Sequence, residues 1–392
     1  MPDFDVTKNY SCRWSAALAV LMGLTLLMLA TGAGAATPIP GPPQINARAY
    51  LLQDFHSGRI LVERDAHQRI EPASLTKLMT AYVVFSELKS SGIRLDEQVR
   101  ISEKAWRTGG SKMFIEVNKL VSVEDLLKGM IIQSGNDASV ALAEHVAGSE
   151  DAFASLMNNY AATLGMKESH FVNSTGLPHP EHYTSAYDLA LLTRALIRDF
   201  PEHYQWYSTH EFTYNNITQY NRNKLLWRDK SVDGVKTGHT KSAGYCLIAS
   251  ALRNDMRLIS VVLGTRSEAA RAQESQKLLN YGFRFFETHR LYGANETLAT
   301  ARIWKGEVEQ LPLGLGEDLF VTIPRKQYDK LDARMNLDPL ITAPAQRGHP
   351  YGTVEIRLGE QVIASRPLIA LRDVAEGSLA QRLSDEFMLL FE

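Results

Sequence analysis

The 392-residue sequence predicts an α+β chain: one mixed sheet carrying a helical insertion, followed by a small all-β domain. Three observations lead there. Strand-like runs sit at both ends of a segment whose middle repeats at 3.6 residues, alternation returns after Tyr292-Gly293, and a last helical stripe closes the chain. At about 150 residues per domain this length holds two or three domains.

The first 35 residues read as a signal peptide. Lys8 and Arg13 precede an apolar run from Ala16 to Ala30, and Ala33-Gly34-Ala35 supplies small residues before a Pro-rich stretch. That run is short for a membrane span of about 20 residues, so an uncleaved anchor is the weaker alternative. The chain is therefore expected to be exported. Cleavage removes Cys12 and leaves Cys246 without a partner, so no disulfide is expected, and a buried, inert thiol is the default for Cys246.

Arg48 to Phe55 and Arg59 to Glu63 form the first expected hairpin, turning at Ser57-Gly58. From Pro72 to about Arg198 the period is helical, as in Leu75, Leu78, Met79, Tyr82 and Phe85. Ser185 and Asp188 start a further helix through Leu196. A second hairpin, Gly244 to Leu252 and Met256 to Leu263, precedes a helical stretch from Ser267 to about Thr288. Asp318 to Ile323 and Thr353 to Leu358 alternate in the β-rich region. From Gly377 the stripe Leu379, Leu383, Phe387, Leu390 and Phe391 predicts an amphipathic helix, either interfacial or packed on its own domain.

With 42 Lys+Arg against 44 Asp+Glu the net charge is −2, which argues against nucleic acid as a partner. The 45% apolar content excludes a disordered chain. His179 and His182 flank Pro180 without further ligands nearby, which reads as a solvated loop rather than a metal pair. No metal or cofactor is expected.

Chemistry concentrates in three motifs in order: Ser74-Leu-Thr-Lys77, Ser134-Gly-Asn136 and Lys236-Thr-Gly238. Ser86-Glu-Leu-Lys89 has the same SxxK spacing, but it lies deep in a helix and reads as a solvated face. Ser74 instead follows Pro72 at a helix start, where free N–H groups favour developing negative charge. Spacing i, i+3 puts Ser74 and Lys77 on one face, so a lysine of depressed pKa can take the hydroxyl proton. Lys236 offers the second cation that would depress it. On a strand Thr237 points away from Lys236, and Gly238 leaves an edge against which an extended substrate could lie. Ser134 falls in a turn and could relay a proton to a leaving group.

With its flanks, the sequence resembles the penicillin-binding proteins and serine β-lactamases, which share the SxxK, SxN and KTG triplet. It is most similar to the low-molecular-mass D-alanyl-D-alanine carboxypeptidases in Glu71 to Lys77, Ile132 to Ala138, Asn221 to Trp227, Asp233 to Thr240 and Gly282 to Glu287. The resemblance implies a β-lactamase/transpeptidase-like domain over 44–290, an all-β domain over 291–375 and an amphipathic helix over 376–392. It further implies that Ser74 attacks the penultimate D-alanine of a peptidoglycan stem peptide while Lys77 takes its proton. Ser134 would protonate the departing D-alanine. Backbone N–H groups of Ser74 and His239 would form an oxyanion hole, worth ~3 kcal/mol per donor. Asn136 would hold the substrate amide, Lys236 would set the electrostatics, and Thr237 would bond the terminal carboxylate.

Arg222 and Arg271 match arginines near the family's carboxylate pocket, and read equally as surface or structural residues. Asp188 reads as a helix-start residue. β-Lactams would acylate Ser74 as covalent inhibitors, and the protein would sit in the periplasm, peripheral on the outer face of the inner membrane. The tail departs from the family's pattern in being acidic, with Arg382 against Asp385, Glu386 and Glu392, which anionic lipid would repel. Three alternatives remain. A β-lactamase lacks support because no ExxLN-like glutamate lies between the second and third motifs. A murein DD-endopeptidase shares the chemistry. A silent peptidoglycan-binding protein would have no need of intact Ser74, Lys77, Ser134 and Lys236.

Overall fold

A computed structural model describes residues 39–391. The expected signal peptide, with Lys8, Arg13 and Cys12, lies outside the described residues, as does Glu392. The first domain is built on a five-stranded sheet of β1 (Ala49–Asp54), β2 (Ile60–Arg64), β3 (Val232–Thr240), β4 (Gly244–Arg253) and β5 (Met256–Thr265). Their order is β2-β1-β5-β4-β3, so the KTG strand β3 is an edge. Every neighbouring pair is antiparallel, which corrects the expectation of mixed strand directions. The physical reason is connectivity. The β1–β2 and β4–β5 pairs are hairpins, β3 turns straight into β4, and the insertion returns the chain so that β5 runs against β1.

All six residues of β1 are buried, because helices cover both faces of the sheet. Leu51, Val261 and Leu263 face the insertion core. Leu52 and Leu258 face a C-terminal helix and lie close to its Gly282. Within the insertion run α1 (Lys77–Lys89), α2 (Asn136–Ala147), α3 (Glu150–Thr163) and α4 (Ala186–Asp199); the C-terminal helix is α5 (Glu268–Phe285). From Lys77 to Phe85 every residue of α1 is buried, so this is a central helix rather than an amphipathic surface one. Ser185 caps α4 by accepting from the Asp188 N–H, as its position suggests. The insertion is less uniformly helical than its pattern implies. It includes a three-residue strand pair at 98–100 and 120–122, a polar hairpin over 211–220 and a helix-free loop over 166–184.

Helix α5 ends at Phe285 rather than near Thr288, because Phe286–Tyr292 (β6) pairs with Leu319–Pro324 (β9). The second region also holds β7 (Thr297–Arg302), β8 (Gln310–Gly314), β10 (Leu331–Leu337), β11 (Pro350–Leu358) and β12 (Gln361–Ala370). These five form an antiparallel sheet in the order β7-β8-β12-β11-β10. Its own core includes Leu311, Leu313, Val354, Ile356 and Leu368. The chain closes in α6 (Leu379–Leu389), started by a capping box between Ser378 and Gln381. Among the described residues no helix is long and apolar enough to cross a membrane.

Candidate active site

Three local structures aim the motif residues at one cleft of about 290 Å³. Ser74 lies in a 3₁₀ turn, Ala73–Thr76, that leads directly into α1 and Lys77. Ser134 follows a π-turn over Gly129–Gln133 in the left-handed region, φ 71°, just before Asn136 opens α2. Lys236, Thr237 and Gly238 lie on edge strand β3. Gly238 fits closely against the nucleophile turn: a Cβ there would sit 3.1 Å from the Pro72 carbonyl oxygen and 3.3 Å from Ala73 Cβ. Its glycine therefore lets β3 pack tightly on Ser74's turn, beyond the open edge inferred from sequence.

Lys77 is 1% exposed. Its Nζ is 2.7 Å from Asn136 Oδ1 and 2.6 Å from the Thr175 carbonyl, both acceptors, so the amine donates to each. The Asn136 orientation follows from its Nδ2, which donates to the Gly109 carbonyl at 2.7 Å. The remaining position on Nζ faces Ser74 Oγ at 3.1 Å. In the neutral amine that position is a lone pair, aimed at the hydroxyl proton. Burial, helped by the Arg222 charge and opposed by Asp137, pushes Lys77 down to about 7.

Lys236 is also buried, and its Nζ donates to Ser134 Oγ at 2.8 Å and to the Thr237 carbonyl at 3.2 Å. Burial, then Lys77, Arg222 and Arg271, push its pKa well down. Arg222, rather than the Lys236 expected from sequence, is thus the cation that lowers Lys77, and Lys77 in turn lowers Lys236.

Arg222 and Arg271 both line the cleft, with Thr237, Gly238 and His239. Arg271, on α5, is buried and donates to the Gly238 carbonyl at 3.2 Å. Arg222 is exposed between two buried asparagines. Asn221 donates to the Tyr207 and Thr209 carbonyls and Asn223 to that of Gly234, which pins the backbone and turns Arg222 outward. The exposed His239 ring stacks on Tyr245 at 4.0 Å. All ten residues singled out from sequence thus surround or underlie one cleft. The Ser86 hydroxyl instead donates to the Tyr82 carbonyl within its own helix.

Four participants escaped sequence reasoning. Buried Asp137 accepts from the N–H groups of Met113, Phe114 and Ile115, holding the segment before the SxN motif. Glu268 adds a carboxylate to the cationic wall, 2.9 Å from Lys224 and 3.8 Å from Arg271. Thr175 supplies the carbonyl on Lys77. His182, expected on a solvated loop, is 2% exposed, with Nε2 2.8 Å from Thr76 Oγ1. This corrects the solvated reading for His182 alone: 177–181, His179 included, are exposed, while Ser174, Thr175 and His182 turn inward toward the Ala73–Thr76 turn. Asp188 serves its loop, accepting from the Glu168 N–H and Ser169 hydroxyl. Buried Cys246 has its thiol pushed up to about 11 by burial, as an inert thiol should.

A serine 3.1 Å from a buried lysine whose pKa is pushed down to about 7, beside a second hydroxyl and a cationic pocket, is the arrangement of an acyl-transferring serine hydrolase. Known proteins agree. Residues 36–267 match the D-alanyl-D-alanine carboxypeptidase family, and residues 286–376 match the penicillin-binding protein 5 C-terminal domain. The D-alanyl-D-alanine carboxypeptidase DacC of Escherichia coli (strain K12) is 46% identical over 374 residues, covering 93% of this chain and 94% of that protein. Penicillin-binding protein 5 from Haemophilus influenzae superposes with a TM-score of 0.83 at 44% identity, over 86% of this chain and 99% of that one. Penicillin-binding protein D2 from Listeria monocytogenes, solved in its ampicillin-bound form, matches with a TM-score of 0.58 at 31% identity, over 62% and 99%. The chain belongs to the D-alanyl-D-alanine carboxypeptidase family of penicillin-binding serine hydrolases.

Proposed function

We propose that this protein removes the terminal D-alanine from peptidoglycan pentapeptides through an acyl-serine intermediate, and that penicillins acylate the same serine. The observation that carries this reading is the Ser74–Lys77 contact at 3.1 Å, with the other directions of the amine taken by carbonyl oxygens. Ser74 Oγ attacks the carbonyl carbon of the penultimate D-alanine as its proton moves to Lys77 Nζ. The oxyanion forms against the backbone N–H groups of Ser74 and His239. Ser134 gives its proton to the amide nitrogen, the C–N bond breaks and D-alanine leaves. Lys236, 2.8 Å from Ser134 Oγ, resupplies that proton. Lys77 passes its proton through solvent to the depleted Lys236, and the neutral Lys77 then takes a proton from the attacking water and returns it to Ser74 Oγ as the ester C–O bond breaks.

Asn136 holds the substrate amide. Thr237, Arg222 and Arg271 receive the terminal carboxylate, and Gly238 lets β3 meet both substrate and nucleophile turn. Among the described residues no carboxylate hydrogen-bonds Ser74 or Lys77, which supports slow release of a penicilloyl group over β-lactamase turnover. Export, and a peripheral place on the outer face of the inner membrane, belong to the same proposal.

The test is direct. The mature protein should release D-alanine from a pentapeptide ending in D-Ala-D-Ala and gain one penicillin mass, and Ser74→Ala should lose both. An adduct that survives Ser74→Ala would overturn the assignment.

A further inference from the structure

The 166–184 loop grips the nucleophile turn at several points. Thr80 Oγ1 donates to the Ser174 carbonyl at 2.7 Å, and Thr175 receives Lys77. Gly176 sits so close that a Cβ would come within 1.8 Å of the Ala73 carbonyl oxygen. His182 is the polar end of this grip. Its Nδ1 accepts from the Val172 N–H at 3.2 Å, so the ring proton of the neutral form lies on Nε2. Nε2–H must then donate to Thr76 Oγ1, whose own proton goes to the Ala73 carbonyl at 2.9 Å. Burial, then the nearby His170, His179 and Lys77, push His182 down to about 4, so this neutral form is the one present.

Ala73 is where the chain of bonds ends, and Ala73 is strained. Its φ of +49° lies where a non-glycine residue stays only if its surroundings hold it. Ser74 is the next residue. We propose that His182 is a positioning residue for acylation: through Thr76 it holds the strained Ala73 turn so that Ser74 Oγ stays in register with Lys77 Nζ. This rests on Ser74 being the nucleophile. A His182 that only filled space would not need both ring nitrogens satisfied along one directed chain to the residue before the nucleophile.

Acylation by penicillin resolves the question when reversible binding and the chemical step are measured separately by stopped flow. His182→Leu is expected to slow the chemical step about tenfold while reversible binding changes less than about twofold. His182→Gln keeps an N–H donor for Thr76 and should recover most of the rate. Thr76→Val breaks the same chain from the other side, so the double variant His182→Leu/Thr76→Val should be no slower than the slower single. Thr76→Val carries the test alone should His182→Leu fail to fold. A folded His182→Leu or Thr76→Val that acylates at the wild-type rate overturns the proposal, as do losses that multiply in the double variant. Absence of wild-type acylation at Ser74 would instead overturn the nucleophile assignment.

Discussion

At the scale of single residues, the proposed mechanism depends on keeping Lys77 uncharged without giving up its hydrogen bonds. An ammonium would donate in all three directions and leave nothing to accept the Ser74 proton. With Lys77 near 7, the competent fraction rises with pH through that value and falls tenfold per unit below it. The acid limb of kcat/KM for D-alanine release should therefore have its midpoint near neutrality, and a limb set near pH 4 to 5 would assign the base elsewhere. Lys77→Arg, which cannot lose its proton, should abolish acylation at every pH. The cationic wall makes a second residue-scale prediction. Glu268 stands among Lys224, Arg222 and Arg271, where it competes with an incoming carboxylate. Because the pair with Lys224 is half exposed, the effect is modest: Glu268→Gln should lower KM for a carboxylate-terminated peptide roughly two- to fivefold. The same peptide ending in an amide should show no gain, and an equal gain for both would remove Glu268 from carboxylate selection.

At the scale of elements, the motifs were legible and their supports were not. SxxK, SxN and KTG announce themselves because chemistry restricts their residue types, and the hairpins and helices of the sheet follow from periodicity. Asp137 stands beside Asn136 in plain view, yet nothing local says that its carboxylate turns back to three N–H groups more than twenty residues upstream. The 166–184 loop was unreadable for the same reason. Its inward-facing groups, Thr175 and His182, are chosen by partners on α1 and on the Ala73–Thr76 turn before it rather than by neighbours in sequence. The hairpin over 211–220 is too polar to stand out, and it is held partly by Gln219 donating to the Lys112 carbonyl. These supports have measurable weight. Asp137→Ala leaves three N–H groups without their acceptor, two of them buried, and at about 1–3 kcal/mol for each buried one the fold should lose at least about 2 kcal/mol. Thermal unfolding would show this as a marked drop in midpoint, and acylation should slow as the segment carrying the Gly109 carbonyl drifts from Asn136. An unchanged acylation rate in the destabilised variant would mean that Asp137 serves stability alone.

At the scale of the whole molecule, the β-rich region is clasped to the catalytic one through a buried carboxylate. Asp54 accepts from the Ser57 N–H at 2.7 Å and from Thr288 Oγ1 at 2.7 Å, and Ser57 Oγ meets Thr322 Oγ1 at 2.6 Å. The far end of that region carries α6, where the structure answers a difficulty the sequence raised. Two of the tail's acidic side chains are paired with the β-rich region: Asp385 accepts from the Lys305 N–H and Glu386 pairs with Lys305 Nζ, while Arg382 bonds Glu376 at 2.7 Å. Leu379, Leu383 and Phe387 are left 75%, 70% and 64% exposed on the other side. An exposed apolar stripe of this kind fits the proposed membrane contact, and Asp385, Glu386 and Arg382 already have partners of their own. Each such side chain offers ~1.5–3 kcal/mol gross on burial, of which ordering and incomplete immersion remove part. Binding of the mature protein to vesicles of zwitterionic lipid should follow from that burial alone. Raising salt from about 50 to about 500 mM should change it less than about twofold, because screening acts on charges and not on apolar area. Leu383→Glu/Phe387→Glu should abolish it while leaving D-alanine release from a soluble pentapeptide intact, since the contacts of α6 are with the β-rich region and its own start. Cosedimentation decides the matter. Binding that survives the double substitution, or that collapses with salt, would place the attachment outside this stripe.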